Sequence, residues 1–224
     1  MFVTIEGPEG SGKSSVTKEV VKLLEADGEI VVLTREPGGT PIAEEIRNVI
    51  LDKKNTAMDP MTEALLYAAS RRQHLVEKVW PLSKEGKIVI SDRFLDSSLA
   101  YQGGARGLGI DKILSLNQYA TDGFYPDLTL LFDLDPRIGM QRIAANNTRE
   151  VNRLDLEKID FHNNVRKTFL ELASRFKDRF VILDASKSFD EVVQDAYKAI
   201  KDRLAKCKEI NTYKNINQLY IKHL

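Results

Sequence analysis

Five short apolar segments rich in β-branched residues alternate along the chain with longer segments of helical periodicity. The apolar segments lack the polar alternation of half-exposed strands, which is typical of strands buried on both faces. They cover residues 2–5, 30–34, 88–91, 128–134 and 180–183. The helical segments cover 13–26, 42–51, 60–84, 111–121, 137–145, 155–177 and 189–205. This alternation predicts an α/β fold: a doubly wound, five-stranded parallel sheet with helices on both faces.

The distribution of turn residues predicts a single main domain over residues 1–205. Glycine and proline fall between the predicted elements, and the 224 residues contain no internal repeat or low-complexity linker. The segment 206–224 differs, because it carries four lysines against one glutamate and is interrupted by Asn211, Asn215 and Asn217. We therefore expect a frayed C-terminal extension there.

Charge and cysteine content exclude several functional classes. Lys plus Arg and Asp plus Glu both total 33, so no overall basic field exists of the kind that binds nucleic acid or an anionic membrane. The single Cys207 excludes an internal disulfide and a multi-cysteine metal site, and it favours a reducing compartment. No signal-like segment begins the sequence. We expect a cytoplasmic protein with no membrane anchor.

A phosphate-binding loop follows the first predicted strand and opens the first predicted helix. Residues 7–14 read GPEGSGKS and match the pattern G-x-x-x-x-G-K-[ST]. The glycines allow backbone N–H groups to converge on a phosphate, Lys13 reaches the β- and γ-phosphates, and Ser14 offers a hydroxyl to Mg²⁺. The predicted nucleotide-binding residues are Gly7, Pro8, Glu9, Gly10, Ser11, Gly12, Lys13, Ser14 and Ser15.

A carboxylate and a guanidinium, Asp92 and Arg93, follow the third predicted strand. Ligands of open parallel sheets bind beyond the carboxyl ends of strands, so both side chains are expected to face the phosphate loop. Asp92 could belong to the Mg²⁺ shell, and Arg93 could hold a phosphate with two hydrogen bonds. A simple ion pair at the strand end is the alternative. Asp133 and Asp135 also follow a strand, but Pro136 suggests that they begin a helix instead.

A second loop at a strand end, 34–40 (TREPGGT), contains Pro37 and paired glycines. It is either a loop at the site or a bare turn. Arg47 on the following helix is either a phosphate ligand or a solvated surface residue, and its spacing does not distinguish the two.

Two further segments carry possible ligand-binding faces. Tyr67 and Arg71 lie four residues apart on one helix face, where a ring could stack on a base while the guanidinium donates to its edge. The alternative is a core tyrosine beside a surface arginine. Ser98, Tyr101 and Gln102 also share a polar face beside a predicted glycine turn at Gly103 and Gly104, which suggests a ligand face. An exposed helix would show the same pattern.

Three arginines, Arg142, Arg149 and Arg153, surround a polar interval between two helical segments. A flap at about 142–154 that carries them could close over a transferring phosphoryl group and neutralise its charge. Solvent-facing loop arginines are the alternative.

Several motifs in one order resemble those of bacterial thymidylate kinases. They are FVTIEGPEGSGKS, TREPGGT, TEALLYAASRRQHL, SDRFLDSSLAYQGGARG and YPDLTLLFDLD, and the resemblance extends from about residue 1 to 205. It implies a P-loop kinase fold with a small lid, ATP as co-substrate with Mg²⁺, and conversion of thymidine monophosphate to the diphosphate for dTTP synthesis. It also implies a homodimer.

The resemblance further implies individual roles. Glu9 would approach the sugar hydroxyl, Tyr67 would stack on thymine, Arg71 would bond its exocyclic oxygen, and Ser98 and Gln102 would line the base. Tyr101 would press on the deoxyribose, and Arg47, Arg71 and Arg93 would lie near the monophosphate, with Pro37 shaping its pocket. Members of the family carry the catalytic arginine either in the phosphate loop or on the lid. Because this loop has no basic residue before Lys13, the resemblance implies the lid type, with Arg149 or Arg153 as the catalytic arginine and Arg142 nearby. Tyr67 departs from the phenylalanine of many relatives.

Two other functions are compatible with the phosphate loop: a kinase for another monophosphate or nucleoside, and a nucleotide-dependent switch ATPase. The sequence has neither the N-K-x-D nor the D-x-x-G motif of guanine-nucleotide switches. In the kinase reading, positioning and charge neutralisation supply the catalysis, since the acceptor is already an anionic phosphate.

Overall fold

The chain folds around one parallel sheet of five strands. The computed structural model describes residues 1–145, 154 and 157–221, with side chains up to residue 209. The strands are β1 (Phe2–Glu6), β2 (Val31–Arg35), β3 (Ile88–Asp92), β4 (Leu128–Asp133) and β5 (Phe180–Asp184). All neighbouring pairs are parallel, in the order β2-β3-β1-β4-β5. The predicted fold class is confirmed, and each strand agrees with its predicted segment to within one residue.

Helices connect the strands and cover both faces of the sheet. Their bounds are α1 (Lys13–Ala26), α2 (Pro41–Leu51), α3 (Pro60–His74), α4 (Trp80–Lys84), α5 (Leu95–Ser98), α6 (Ile110–Thr121), α7 (Pro136–Ala144), α8 (Ile159–Arg175) and α9 (Phe189–Ile221). Two π-helical segments continue α-helices: Leu75–Val79 joins α3 to α4, and Leu99–Ala105 extends α5.

The two faces of the sheet belong to two separate apolar clusters. On β1, Phe2 packs into a cluster with residues of α3, α6 and α8, whereas Val3 and Ile5 pack into a cluster with residues of α1 and α9. Alternate side chains of a strand point to opposite faces, so both faces of β1 are buried. This explains the continuous apolar runs in the sequence.

Local sequence explains where several helices begin. Asp59 caps α3, because its carboxylate accepts hydrogen bonds from the backbone N–H groups of Met61 and Thr62, and Pro60 occupies the first helical position. Asp135 caps α7 in the same way, by accepting from the Arg137 N–H.

Helical structure departs from the sequence prediction in two places. Helix α5 and the π-helix after it were not among the predicted helices, although the helical spacing of Ser98, Tyr101 and Gln102 was noted there. Helix α9 continues to Ile221 and does not end at residue 205. The division into a main domain and an extension stays a prediction. None of the helices in the described part of the chain has the length and hydropathy needed to cross a membrane.

Candidate active site

A cavity of about 620 Å³ opens at the carboxyl ends of β1, β2 and β3. Its size lies within the usual range for small-molecule sites. It is lined by the phosphate loop, the β2–α2 loop, one face of α3, the residues after β3 and the end of α7. Of the predicted site residues that the structure describes, the cavity lining includes Glu9, Gly10, Ser11, Gly12, Lys13, Ser14, Ser15, Pro37, Arg47, Tyr67, Arg71, Asp92, Arg93, Ser98, Tyr101, Gln102 and Arg142. Gly7 and Pro8 belong to the same loop but do not line the cavity.

The phosphate loop lies between β1 and α1, as the pattern predicts. Lys13 is buried, and its ammonium group donates to the carbonyls of Gly7 (3.0 Å) and Pro8 (2.7 Å). Burial, with the nearby Arg93 charge, lowers the pKa of Lys13 to about 8, against the opposing effect of neighbouring carboxylates. The loop therefore holds a desolvated ammonium group where an anion would meet it.

Ser14 and Asp92 come together across the loop and the end of β3. The Ser14 hydroxyl donates to Asp92 Oδ2 at 2.8 Å. Hydroxyl and carboxylate oxygens are hard ligands of the kind that Mg²⁺ prefers, and Mg²⁺ in kinases is usually bound by one or two side chains plus phosphates and water. The pair therefore fits the predicted metal role.

The competing carboxylates at the end of β4 are used elsewhere. Asp133 accepts two hydrogen bonds from Arg166, at 2.7 and 2.9 Å, and Asp135 caps α7. Neither lines the cavity. The structure favours Asp92 over both.

Arg93 occupies an unusual backbone conformation, with φ of 71°. This left-handed region is uncommon for residues other than glycine and is often found at functional sites. Its guanidinium donates to the Gly7 carbonyl (3.2 Å), to Ser97 Oγ (3.1 Å) and to the Glu9 carboxylate. Burial opposes the charge, but neighbouring Glu9 and other anionic groups raise the pKa of Arg93 well above its ordinary value. Arg93 therefore remains a cation inside the cavity wall.

Glu6 supports this conformation from beneath. Its buried carboxylate accepts from the backbone N–H of Phe94 (2.8 Å), the N–H of Ser97 (3.3 Å) and the Ser97 hydroxyl. Burial, aided by the Asp96 charge, raises the pKa of Glu6 to about 8 even though Arg93 and these hydrogen bonds oppose the rise. Glu6 was not among the predicted site residues; the only signal in the sequence is a carboxylate at the end of an apolar strand.

The wall opposite the phosphate loop is formed by α3. Tyr67 and Arg71 both face the cavity, and Arg71 is 2 % exposed, so it is not a surface arginine. Its Nε donates to Glu36 (2.8 Å), Nη2 donates to the Phe94 carbonyl (3.0 Å), and Nη1 donates to Ser98 (3.2 Å) and Asn117. His74 bonds the other oxygen of Glu36 (2.9 Å) and the Thr34 hydroxyl (2.7 Å).

The sequence did not identify these Arg71 partners. Glu36, Phe94 and Asn117 lie 23 to 46 residues from Arg71, and no local pattern connects them. The TREPGGT segment is nevertheless part of the site rather than a bare turn, because Arg47 donates to the Pro37 carbonyl (2.9 Å) and both residues line the cavity.

Ser98, Tyr101 and Gln102 face the cavity together, as their spacing predicted. Ser98 ends α5, and the other two lie on the π-helix. The Tyr101 hydroxyl donates to Glu9 at 3.2 Å, and its ring lies 5.2 Å from the Arg93 guanidinium. Gln102 donates to Glu63 at 2.7 Å. Glu63 was not among the predicted site residues, although it lies four residues before Tyr67 on the same face of α3.

One of the three predicted lid arginines can be described. Arg142, near the end of α7, lines the cavity and donates to the Ala185 carbonyl at 3.3 Å. Arg149 and Arg153 lie outside the described residues. Leu154 also lines the cavity, so the chain returns to the cavity rim after this interval.

Comparisons with known proteins agree with the arrangement. The family model for thymidylate kinase matches residues 5–196. Thymidylate kinases from Geobacillus sp. (strain WCH70) and Bacillus velezensis (strain FZB42) are each 56% identical to the chain; the matches cover 91% and 92% of this chain and 97% of each relative. A crystal structure of thymidylate kinase from Ehrlichia chaffeensis has a TM-score of 0.72 at 33% identity, covering 90% of this chain and 98% of the other.

Proposed function

Because the chain belongs to the thymidylate kinase family, it is a phosphotransferase that phosphorylates thymidine monophosphate, and we propose that the cavity binds both substrates at once. The family uses ATP as phosphate donor. The observation that carries the proposal is the continuity of the cavity: the phosphate loop forms one side, and the Tyr67–Arg71 face of α3 forms the other. The donor and acceptor phosphates can therefore meet between them.

On the donor side, the phosphate loop binds the triphosphate of ATP. Backbone N–H groups at the start of α1 and the helix dipole attract the anion. Lys13 exchanges the Gly7 and Pro8 carbonyls for phosphate oxygens, which are better partners because they carry full charge. The buried ammonium then stabilises charge that develops between the β- and γ-phosphates.

Ser14 and Asp92 would hold Mg²⁺ at the donor phosphates. When bound there, the ion would neutralise part of the charge of the donor phosphates. Support comes from the 2.8 Å contact between the two side chains and from their hard oxygen ligands.

On the acceptor side, the base of thymidine monophosphate lies against α3 and its phosphate faces the loop. Tyr67 stacks on the ring, Ser98 and Gln102 line it, and Arg71 donates to its exocyclic oxygen. Glu9 and Tyr101, which bond each other, contact the deoxyribose. Arg47 and Arg93 hold the monophosphate beside Pro37, with Arg93 aligning it for attack on the γ-phosphorus.

The lid completes charge neutralisation. Arg149 or Arg153, with Arg142 nearby, approaches the transferring phosphoryl group, whose oxygens carry spread negative charge in the transition state. No general base is needed, because the attacking oxygen belongs to a phosphate that is already anionic. The bond from the γ-phosphorus to ADP breaks as the bond to the monophosphate oxygen forms.

Assembly and location belong to the same proposal. Large apolar side chains on the outer surfaces of α2 and α3 are about half exposed, which suits a homodimer interface: Ile42, Val49 and Leu65. The single Cys207 is consistent with the reducing cytoplasm.

A coupled assay across nucleoside monophosphates tests the function directly. With ATP and Mg²⁺, we expect ADP release to be fastest with thymidine monophosphate and far slower with the cytidine, adenosine and guanosine compounds. ATP hydrolysis that ignores every monophosphate would contradict the proposal and favour the switch ATPase.

A further inference from the structure

The amide of Gln102 is held by one partner in the described part of the chain. Its Nε2 donates to Glu63 Oε1 at 2.7 Å, and both side chains are 1 % exposed. This contact joins the π-helix to α3, two walls of the same cavity.

The chemistry of the pair determines which end of the amide faces Glu63. A carboxylate only accepts hydrogen bonds, whereas a glutamine amide has one donating end and one accepting end. The nitrogen must therefore face Glu63, and the oxygen occupies the other position. Because Gln102 lines the cavity, its oxygen presents a hydrogen-bond acceptor to a ligand there.

Arg106 compensates the buried charge of Glu63. Its Nε lies 3.5 Å from Glu63, its Nη1 lies 2.7 Å from the more exposed Glu157, and its guanidinium lies 4.8 Å from the Phe161 ring centroid. A buried carboxylate without a cation nearby would be costly. Arg106 therefore offsets part of the cost of burying the Glu63 carboxylate.

Arg71 supplies the complementary group. Among the described residues, Glu36, Ser98, Asn117 and the Phe94 carbonyl use four of its five N–H donors, and one donor at Nη2 has no partner there. Arg71 and Gln102 together thus offer one donor and one acceptor. A pyrimidine edge with an N3–H donor and an O4 acceptor matches this pair, while cytosine has the reverse pattern, an N3 acceptor and an N4 donor.

We propose that Glu63 is a specificity-determining positioning residue, which fixes the Gln102 amide with its oxygen toward the base and so selects pyrimidines that carry a proton on N3. The inference rests on the proposed function, because it needs the base to lie against Gln102. Glu63 itself does not touch the substrate. It disfavours the flipped orientation of the Gln102 amide, in which the NH₂ group would face the N3 of cytosine.

The variant Glu63→Gln tests the proposal. A neutral amide at 63 can donate or accept, so both orientations of Gln102 become allowed. We expect KM for thymidine monophosphate to rise about threefold to tenfold and the kcat/KM preference over deoxycytidine monophosphate to fall at least about tenfold, as expected for loss of one fixed hydrogen bond. The kcat and the KM for ATP should change by less than about twofold. A general loss of structure would change these constants as well, so this pattern identifies a specific effect on the base.

Two further variants complete the design. The double variant Glu63→Gln with Gln102→Glu exchanges the two side chains and keeps the net charge of the buried pair. Its carboxylate at 102 again offers only acceptors to the base, so the preference for thymidine monophosphate should return. The test therefore does not depend on the folding of the single variant. Glu157→Gln removes the exposed partner of the same Arg106 and should leave the preference unchanged.

The outcomes separate the inference from the proposed function. The inference is wrong if Glu63→Gln keeps the native preference for thymidine monophosphate, or if the exchange variant does not regain it, while Gln102→Leu still raises KM for thymidine monophosphate. In that case the proposed position of the base stands. If Gln102→Leu leaves that KM unchanged, the proposed base position is itself wrong.

Discussion

Lys13 is a buried cation in a loop that attracts anions, and its ionisation is therefore sensitive to the ligand. Burial lowers its pKa from the ordinary 10.5 to about 8. A bound triphosphate favours the charged form and raises that pKa again. ATP binding is thus linked to proton uptake by Lys13 above pH 8.

We predict that ATP affinity weakens as the pH rises through about 8. Below this pH Lys13 is already charged and binding takes up no proton; above it the free site is neutral and affinity falls by up to about tenfold per pH unit. Calorimetric titrations with ATP and excess Mg²⁺ between pH 7 and 9.5 measure the effect. Lys13→Arg should bind more weakly but with little pH dependence, since arginine stays charged; an equal slope in both proteins would contradict the assignment.

Arg93 combines a left-handed backbone with contacts to two residues of the phosphate loop. It reaches Gly7 of the phosphate loop and Glu9 beside the proposed deoxyribose position. Such a side chain can align the acceptor phosphate only while its backbone is held, which the Glu6 carboxylate does through Phe94 and Ser97.

We predict that Arg93→Ala lowers kcat/KM for thymidine monophosphate by at least about a hundredfold, because a preorganised charge at the acceptor phosphate is lost. ATP binding should remain nearly intact, as measured by calorimetry beside the coupled assay. Arg72→Ala is the matched control: Arg72 is on α3 but pairs with the exposed Asp122, and it does not line the cavity. Near-normal turnover of Arg93→Ala would remove this residue from the mechanism.

At the scale of elements, helix α7 forms a support for the phosphate loop. A Cβ atom on Gly139 would lie 2.2 Å from the Glu9 carbonyl oxygen, and a Cβ on Gly10 would lie 2.2 Å from the Gly139 carbonyl oxygen. These distances are too short for any side chain, so the two backbones are in direct contact. The same helix carries Arg142 and Ile143 to the cavity.

We predict that Gly139→Ala raises KM for ATP about tenfold, since the phosphate loop must move to admit the methyl group and overpacking of this kind costs about 1–3 kcal/mol. Alanine is the better helix former by about 1 kcal/mol, so helix propensity alone predicts the opposite sign for stability. Steady-state kinetics and thermal melting check the variant. Met140→Ala, on the exposed side of α7, should behave as the native enzyme; an unchanged KM in Gly139→Ala would show that the contact does not position the loop.

Elements with a local signal could be predicted from the sequence, and those that depend on distant packing could not. The phosphate loop is one continuous motif, so its residues and its place between β1 and α1 followed from the chain. Gly103 and Gly104 suggested a turn, whereas the π-helix runs through both. Gly104 is required by packing instead, because a Cβ there would lie 2.1 Å from the Thr168 hydroxyl of α8.

The polar supports of the site illustrate the same limit. Arg71 was identified, because it lies one helical turn from Tyr67, but its burial was not, since that depends on Glu36 and Asn117 from other elements. Glu63 and Glu6 looked like ordinary polar residues at the boundary of apolar runs. Their function depends on donors that only the folded chain brings to them.

At the scale of the whole molecule, buried carboxylates join the site to the opposite side of the sheet. Asp96, at the start of α5, accepts two hydrogen bonds from Arg179, at 2.6 and 2.7 Å, next to β5. Asp96 is fully buried and close enough to Glu6 to raise the pKa of Glu6. Arg93, Glu6 of the first strand and Arg179 at the far edge of the sheet therefore belong to one electrostatic network.

We predict that this network makes the stability of the fold dependent on pH through Glu6. Its pKa is 4.5 in an unfolded chain and about 8 in the folded protein, so between these values the folded state retains a proton that the unfolded state has released. The free energy of unfolding therefore falls as pH rises from 4.5 to 8 and levels off above 8.

The variant Glu6→Gln keeps an acceptor for the Phe94 N–H but does not titrate. As pH falls from 8 to 5, the free energy of unfolding of the native protein should therefore rise relative to that of the variant, on the order of a few kcal/mol. Urea unfolding of both proteins at pH 5.5, 7 and 8.5 measures the difference. The Lys13 titration, which begins near pH 8, is common to both proteins and cancels in that difference. Parallel pH profiles would mean that Glu6 is ionised in both states and that its burial is compensated by Arg93 and Ser97.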